Sequence, residues 1–387
     1  MKRSWMLAAT LALGLAQAQT VNLMWSGAIT GPTSDAGAPY AAGVEDYCRY
    51  ANETNAVPGV TFNCIVRDDQ YNNANTQRNF EEAIDLEVPI FLGYSTGGTL
   101  QLKPLVQEVG VPVVPASMHI GNIDPPNNDY IFLPTTSYSE QVIALLEFIA
   151  KESPGAKVAL VVHPSAFGRA PIEDARRAAE ELGIEIVEVQ ETGANLDYTA
   201  MLTRFAERGV QYVVHQNVAG PVAQILKDSK RLGLNLKHAG AHYTGGEDLL
   251  RLAGDAADGF LWATSFYLWN EDAPGIRLQR ELGERYGRSE DIIRSVNYTN
   301  GMMAAGIAIE AVRIAKEKFG EVNAETVYQA LMEMNWDSGF GVGPVTYGPD
   351  DHTGVDHLRV LQAKDGAFQP ISEPFTSALF RKVHFQQ

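Results

Sequence analysis

Residues 88–110, VPIFLGYSTGGTLQLKPLVQEVG, combine a short apolar run, a glycine-rich turn and a segment with helical periodicity. This order predicts a buried strand, a tight turn and the start of a helix. Two chemistries fit the turn. Residues 93–97 match the G-x-S-x-G pattern of a hydrolase nucleophile elbow, and the same turn would also present the unpaired backbone amides of a helix N-terminus to an anion. The stretch by itself leaves both open.

The same alternation of strand and helix runs through most of the chain. It predicts mostly parallel sheets with helical crossovers, an α/β fold. A chain of 387 residues is too long for one compact core of the usual size, so we expect two lobes. The predicted strands of the first set are 21–29, 60–66, 88–92 and 111–116, and the second set begins with 157–163, 184–189 and 210–216.

A glycine-rich segment near the C-terminus has a different pattern. Here residues 345–347 and 358–363 are short apolar runs on either side of a polar turn. This arrangement predicts a hairpin in which the two runs pair with each other.

The N-terminus has the pattern of an export signal. Lys2 and Arg3 precede an uncharged segment, and small residues follow at Ala16 and Ala18. An apolar core this short does not span a bilayer as a permanent helix, so residues 1–18 predict a cleaved signal peptide. We expect the mature chain to be exported to a periplasm-like compartment without a lipid anchor, because no cysteine follows the cut.

Composition and motifs argue against several classes of function. The chain has 47 acidic residues against 30 Lys and Arg, a formal net charge of -17, and no basic cluster. Nucleic acid is therefore not an expected partner, because its phosphates require a basic patch. No H-E-x-x-H or paired-cysteine motif occurs, so neither a metal nor a cofactor is predicted.

The chain has two cysteines, Cys48 and Cys64. Cys48 lies on the apolar stripe of a predicted helix, and Cys64 shares one face of the following strand with apolar residues. In an exported chain, such a pair predicts a disulfide, which would close a short loop and contribute about 3 kcal/mol to stability. Two buried free thiols are the alternative.

The candidate site follows from the sheet type. Open parallel sheets bind ligands beyond the carboxyl ends of their strands, where helix N-termini converge. This rule selects the loops at 26–40, 68–71, 94–99 and 116–120 in the first set, and those at 163–169, 215–220 and 241–246 in the second.

A hydrolase could be assembled from the chain order serine, acid, histidine. Ser95 would be the nucleophile, and its partners would be Asp337 or Asp350 and His352 or His357. No HGGG-like oxyanion loop precedes the serine, and a chain with 47 acidic residues and eight histidines satisfies such an order by chance. A secreted serine hydrolase using Ser95 is therefore the second hypothesis.

Seven stretches together carry a resemblance to a known family. The sequence is similar to the solute-binding proteins of bacterial ABC importers of the branched-chain amino acid-binding type. Singly none of the stretches is specific. They are AITGPTSDAGAPYAAGVEDYCRYANE (28–53), VRDDQYNNANTQRNFEEAI (66–84), GYSTGG (93–98), EVGVPVVPAS (108–117), HPSAFGRAPIEDARRAAEELG (163–183), NLDYTAMLTRFAERGVQYVV (195–214) and LAGDAADGFLWAT (252–264).

The resemblance implies a type I periplasmic-binding fold, in which two Rossmann-like lobes are joined by three hinge crossovers. Lobe 1 is expected to comprise residues 19–136 and 266–342. Lobe 2 is expected to comprise residues 137–265 and 343–387.

The resemblance also implies which first-lobe residues hold the ligand. In this family the loops after the third and fourth strands grip the ligand carboxylate through hydroxyls and backbone amides. The matching positions here are Ser95, Thr96, Gly97, Ala116 and Ser117. On this interpretation Ser95 and Thr96 are hydrogen-bond donors rather than nucleophiles, or they merely cap the helix.

The second lobe departs from the family at one position. An aromatic contact is matched by Phe167, but His242, next to Tyr243, stands where the family has an acid that pairs with the ligand ammonium. An imidazole cannot replace that carboxylate, because its charge is zero or of the wrong sign. An amino acid, a carboxylate without an amino group, an amide and an aromatic acid all stay open as ligands. Further candidate contacts are Tyr40 and Tyr94 in an apolar wall, and Gln216 and Asn217 at the end of a second-lobe strand.

The function that the resemblance implies is capture of a small solute between the two lobes and its delivery to a membrane permease. The protein would act as a monomer, bind stoichiometrically and catalyse no reaction. Closure about the crossovers would remove the solute from water and create the surface that the permease recognises.

Overall fold

The structure is a computed structural model, and it describes residues 19–126, 128–194 and 197–385. The predicted signal peptide, residues 1–18, lies outside the described residues. Within these described ranges, no helix is long and apolar enough to cross a membrane.

The first sheet and its helices come from the N-terminal part of the chain. Their elements are β1 (Gln19–Gly27), α1 (Ser34–Glu53), β2 (Val60–Asp68), α2 (Asn73–Asp85), β3 (Phe91–Gly93), α3 (Thr96–Val109) and β4 (Val113–Pro115). The four strands run parallel in the order β2-β1-β3-β4. Gly93 lies opposite Pro115 in the register, so the carboxyl ends of β3 and β4 are side by side.

The middle of the chain forms most of the second sheet. Strand β5 (Leu133–Thr135) stands apart and pairs with a later strand. The other elements of this part of the chain are α4 (Tyr138–Glu152), β6 (Lys157–Val162), α5 (Ala166–Arg169), α6 (Ile172–Leu182), β7 (Glu185–Glu191), α7 (Thr199–Glu207), β8 (Tyr212–Gln216), α8 (Ala219–Arg231), β9 (Lys237–Gly240), α9 (Gly246–Ala253) and β10 (Leu261–Thr264).

The C-terminal part of the chain contributes to both lobes. Helices α10 and α12 lie against the first lobe's helix α1, and strands β14 and β15 join the second sheet. The elements are α10 (Pro274–Arg285), α11 (Glu290–Arg294), α12 (Val296–Phe319), α13 (Ala324–Met332), β11 (Asn335–Trp336), β12 (Val345–Thr346), β13 (Thr353–Val355), β14 (Arg359–Lys364), β15 (Ala367–Pro370) and α14 (Ala378–Phe385).

The second sheet has the order β15-β14-β10-β9-β8-β6-β7. Strands β10 to β7 in this order are parallel, and β14 and β15 add an antiparallel edge. The chain passes between the two lobes three times: after β4, after β10 and after β12. The predicted α/β fold with two lobes and three crossovers is confirmed, whereas the lobe boundaries after residues 136, 265 and 342 stay predictions.

The predicted hairpin near the C-terminus is wrong. Val345 and Thr346 pair with Trp336 and Asn335 instead. Strand β14 pairs with β10 on one side and with β15 on the other. An isolated two-stranded hairpin cannot bury both faces of its strands, whereas in the second sheet Val360 and Leu361 are almost fully buried.

Helix α1 is tied to the neighbouring strand by a covalent link. Cys48 of α1 and Cys64 of β2 form a disulfide, and their Cα atoms are 6.5 Å apart. The link spans 16 positions in sequence and holds the helix against the edge strand of the first sheet.

The C-terminal helix carries a histidine held between two carboxylates. His384 Nε2 lies 3.1 Å from Asp124 and its Nδ1 lies 3.0 Å from Asp174 of α6. Burial alone would lower the pKa of His384, but the hydrogen bonds to both carboxylates outweigh it and raise that pKa to about 9. Charged His384 therefore joins α14 to α6 and to the loop that follows β4. His119 and Lys103 also face this cluster.

The disulfide yields a prediction about stability. A Cys48→Ala/Cys64→Ala double variant should lose about 3 kcal/mol of unfolding free energy, because an unlinked chain of this loop length gains entropy when it unfolds. Urea denaturation under non-reducing conditions measures the difference. Unchanged stability, together with two thiols that react with a maleimide in unfolded wild type, would contradict the link.

The His384 cluster yields a pH dependence. Because the folded pKa lies above the unfolded value of about 6.5, the stabilisation is complete below that value and is lost as pH rises through about 9. His384→Gln should therefore lower the unfolding free energy by about 2 kcal/mol at pH 6 and by much less at pH 10.

Lys382→Gln is the matched control for that variant. Lys382 lies on the same helix in an exposed ion pair with Glu181, and its replacement should cost less than about 1 kcal/mol. Chemical denaturation of the three proteins across this pH range measures the effect. If His384→Gln loses the same unfolding free energy at pH 6 as at pH 10, the charged state assigned to His384 is wrong.

Candidate functional site

A cavity lies between the lobes at the carboxyl ends of β3 and β4. It encloses about 280 Å³ of space free of protein atoms, counted up to the open solvent at its mouth. Loops and helix starts of both lobes contribute to it. The lining residues are Thr33, Tyr71, Tyr94, Ser95, Thr96, Ala116, Tyr138, Phe167, Val218 and Tyr243.

The first turn of α3 forms one end of this cavity. Ser95 is the N-cap residue, and its Oγ accepts a hydrogen bond from the Gly98 amide at 3.0 Å. A Cβ on Gly98 would lie 2.7 Å from that same oxygen, so the turn requires glycine there. Among the described residues, no acceptor lies on the amides of Thr96 and Gly97. These amides and the helix dipole make this end of the cavity suitable for an anion.

A chain of hydrogen bonds orients the Thr96 hydroxyl. The side-chain amide of Asn122 and the backbone amide of His119 donate to Ser117 Oγ at 3.1 and 3.4 Å. With its lone pairs engaged, Ser117 Oγ donates to Thr96 Oγ1, 2.7 Å away. Thr96 then keeps its own hydrogen to donate, either to the neighbouring Tyr138 hydroxyl or to an acceptor of a bound solute.

The geometry of Ser95 is not that of a nucleophile. Its backbone is extended, with φ -75° and ψ 143°, rather than strained as in a hydrolase elbow. The two proposed histidine partners are engaged elsewhere: His352 Nδ1 bonds to Ile131 O and His357 bonds to Asp356. The hydrolase hypothesis therefore lacks the hydrogen bond between nucleophile and base that it requires.

Aromatic rings form the other walls. Tyr71 and Tyr94 come from the first lobe, and Tyr138, Phe167 and Tyr243 stand on the opposite side. Burial raises the pKa of Tyr94, Tyr138 and Tyr243 above the ordinary value, so their hydroxyls stay neutral.

Two hydrogen bonds connect the lobes. In the first, the Tyr243 hydroxyl donates to the backbone carbonyl of Ala116 at 2.8 Å. The second joins Tyr71 Oη and Ser165 Oγ at 3.3 Å. Both contacts link a first-lobe strand end to a second-lobe loop, so they stabilise the arrangement in which the lobes face each other.

The structure brings six of the predicted contact residues to the cavity lining. They are Tyr94, Ser95, Thr96, Ala116, Phe167 and Tyr243. Gly97 lies beside them in the first turn of α3, and Ser117 lies behind Thr96.

Three other predicted residues support the lining from outside. Tyr40 stacks on Trp25 and packs edge-on against Tyr94, with ring centroids 5.7 and 6.1 Å apart. Gln216 donates to the carbonyl oxygen of Phe167, and Asn217 donates to that of Thr192. Their contact with a ligand stays a prediction.

His242 is also outside the lining. Its side chain is fully buried, with Nδ1 2.8 Å from Thr264 Oγ1 and Nε2 2.8 Å from the side-chain amide of Asn300. Burial lowers the pKa of His242 to about 3, so the ring is neutral. It offers neither the missing carboxylate nor a positive charge to the cavity, and its predicted ligand contact stays a prediction.

The lining includes four residues that were not singled out as ligand contacts from sequence. Thr33, Tyr71 and Val218 lie in three of the loops that the parallel-sheet rule selects. Tyr138 begins α4, after a crossover, where that rule gives no signal.

A larger depression lies elsewhere, between α14 and the third crossover. It is open to solvent and is lined by six carboxyl side chains, among them Asp124, Asp350 and Asp356. None of the predicted contact residues belongs to it. Its negative charge does not suit a carboxylate ligand.

Comparison with known proteins identifies the family. Residues 20–367 match the model of the family described as periplasmic binding protein, so the chain belongs to that family. A branched-chain amino acid ABC transporter protein from Thermus thermophilus, solved with bound valine, is 68% identical. Its structure has a TM-score of 0.94, and the match covers 95% of this chain and 99% of the other.

More distant relatives share the fold. A substrate-binding protein of an ABC transporter from Aeropyrum pernix is 23% identical with a TM-score of 0.86, covering 94% of this chain and 99% of that one. The leucine-, isoleucine-, valine-, threonine- and alanine-binding protein of Pseudomonas aeruginosa is 21% identical over 326 residues, 84% of this chain and 85% of its own length. The chain is thus a solute-binding protein of an ABC transporter.

The orientation of Thr96 yields a prediction about affinity. Thr96→Val keeps the shape of the side chain but removes the hydroxyl donor, and a hydrogen bond to a charged acceptor contributes about 1.5–3 kcal/mol. Affinity for a carboxylate probe, L-valine, should fall by about 10- to 100-fold. Isothermal titration calorimetry measures it.

Thr99→Val is the matched control. Thr99 lies one turn further along α3, and its hydroxyl bonds to the carbonyl of Ser95 instead of facing the cavity. The affinity of the Thr99→Val variant for L-valine should stay within about 3-fold of the wild-type affinity, a difference of less than about 1 kcal/mol. Equal affinities of the Thr96 and Thr99 variants would remove the role assigned to Thr96.

Proposed function

We propose that this chain captures a branched-chain amino acid, valine in particular, between its lobes and delivers it unchanged to a membrane permease. The observation that carries the proposal is the cavity itself. At one end it offers the free amides of α3 and the Thr96 hydroxyl, and its other walls are apolar and aromatic. A small carboxylate with an aliphatic side chain matches both ends.

Hydrogen-bond energies and a similar protein of known structure also support this ligand class. A few hydrogen bonds of about 1.5–3 kcal/mol each to a carboxylate suffice for micromolar affinity, which corresponds to about 8 kcal/mol. The protein that is 68% identical was solved with valine bound.

Lobe motion is the second element of the proposal. Residues of both lobes line the cavity and two hydroxyls bridge the lobes across it, so a solute would enter when the lobes separate and be enclosed when they meet. Lobe 1, residues 19–136 and 266–342, would bind first, and lobe 2, residues 137–265 and 343–387, would close about the crossovers. The hydrogen bond from Tyr243 to Ala116 favours the closed arrangement.

The setting follows from the family and the N-terminal pattern. We infer a periplasmic protein that is released when residues 1–18 are removed, acts as a monomer and presents its closed lobes to the permease. No reaction is assigned to the site, since Ser95 caps a helix and lacks a general base.

Titration of the mature chain with L-valine tests this function. One molecule should bind per chain, the melting temperature should rise by linkage, and small-angle scattering should report a smaller radius of gyration. D-Valine, which places its side chain differently, is the matched control ligand and should bind much more weakly.

Mass spectrometry of the recovered solute completes the test. Valine should be recovered intact after prolonged incubation. Absence of saturable binding by L-valine, L-leucine and L-isoleucine would overturn the proposed ligand class, and consumption of bound valine would overturn the transport role.

A further inference from the structure

The proposed ligand carries a positively charged ammonium group, and the cavity lining has no acidic side chain to pair with it. None of the ten lining residues has an acidic or basic side chain. An amino acid in this site would present its carboxylate to α3 and its ammonium group to neutral atoms. If the protein binds an amino acid, as proposed above, another feature of the cavity must hold this ammonium group.

Nearby carboxylates are committed to other contacts. Asp69 is fully buried, and its oxygens accept from Thr76 Oγ1 at 2.8 Å and from the Tyr71 amide at 2.9 Å. Asp35 interacts with the amides of Ala36 and Gly220, the latter at the start of α8. Neither belongs to the lining.

The neutral oxygens at the cavity are also partly used. The Ala116 carbonyl accepts from the Tyr243 hydroxyl, and the Thr33 carbonyl accepts from the Tyr94 hydroxyl at 3.1 Å. A primary ammonium has three N–H donors. Two of the carbonyls that could accept from such an ammonium therefore already accept from tyrosine hydroxyls, and the remaining acceptors of the lining are uncharged.

The rings meet at steep angles. Tyr71 and Tyr94 have interplanar angle 76° and centroids 6.2 Å apart. On the other side Phe167 makes angles of 70° with Tyr138 and 81° with Tyr243, at 5.2 and 5.9 Å. These five rings, of Tyr71, Tyr94, Tyr138, Phe167 and Tyr243, form the walls of a box to which both lobes contribute. We call it the aromatic box.

Such a box attracts cations. The face of an aromatic ring carries partial negative charge, and ammonium groups bind over it, most strongly where water is excluded. This attraction does not depend on N–H donors. It holds a methylated nitrogen as well as a primary ammonium, whereas a set of carboxylate and carbonyl acceptors discriminates against methylation.

We propose that the aromatic box holds the cationic end of the solute, and that the site therefore also binds zwitterions whose nitrogen is fully methylated. The ligand class thus extends from branched-chain amino acids to small betaines. Glycine betaine is an isomer of valine, so it needs a similar volume. Its carboxylate would use the same amides of α3.

Wild-type protein provides the first test. Three probes are titrated by calorimetry: L-valine, glycine betaine and 3-methylbutanoate, which is valine without its nitrogen. Glycine betaine should bind one to one, compete with valine and have a Kd within about 100-fold of that of valine. 3-Methylbutanoate should bind more weakly than valine by about 3- to 30-fold, the contribution expected of the box.

A pair of variants at Tyr243 provides the second test. Tyr243→Leu removes a ring from the box, and Tyr243→Phe keeps the ring but loses the hydroxyl. The readout is the ratio of valine affinity to 3-methylbutanoate affinity within each protein, which cancels general damage to closure. The ratio should fall by about 3-fold or more in the Leu variant and stay near the wild-type value in the Phe variant.

Should Tyr243→Leu not fold, Phe167→Leu replaces it, since Phe167 has no hydroxyl and stands in the same wall. Valine binding without any competition by glycine betaine would overturn the inference, as would equal ratios in the Leu and wild-type proteins. Glycine betaine binding in a protein that ignores branched-chain amino acids would support the box and overturn the proposed function.

Discussion

The first turn of α3 carries amides that its own helix cannot satisfy, and much of the site is arranged around them. They point beyond the carboxyl ends of β3 and β4 because parallel strands joined by helical crossovers place every helix start at the same edge of the sheet. Ser95 satisfies one amide, that of Gly98. The amides of Thr96 and Gly97 remain, so the edge attracts an anion without any positively charged side chain in the lining.

The position of the aromatic box depends on packing deep in lobe 1. Helices α1 and α12 approach so closely that a Cβ on Gly301 would lie 1.9 Å from the Tyr40 carbonyl oxygen. This contact seats Tyr40 against Trp25 and Tyr94. The close approach of α1 and α12 therefore lies directly behind a ring of the cavity lining.

None of the residues that line the cavity is charged, and buried histidines of the second lobe outside the lining are neutral as well. Burial holds the pKa of His242 near 3 and that of His238 near 4, so both rings act as neutral hydrogen-bonding groups within the second lobe. By contrast, His384 of the C-terminal helix is charged. It pairs with Asp124 and Asp174 and so connects α14 to α6 and to the loop after β4. Although the chain has a net charge of -17, the zwitterion of the proposed function would meet backbone dipoles and ring faces in this cavity, and no charged side chain of the lining.

The sequence by itself determined the α/β class, the two lobes and the strand ends where a ligand would lie, because hydrophobic periodicity and glycine turns are local properties. It also identified Ser95, Thr96 and Ala116, which adjoin the carboxyl ends of their strands. Tertiary structure alone decided the pairing of β14 with β10, the removal of His242 from the cavity and the inclusion of Tyr138. These depend on which segments far apart in sequence pack together, since a strand takes whichever partner buries both its faces and a side chain faces the cavity or the core according to the helices behind it.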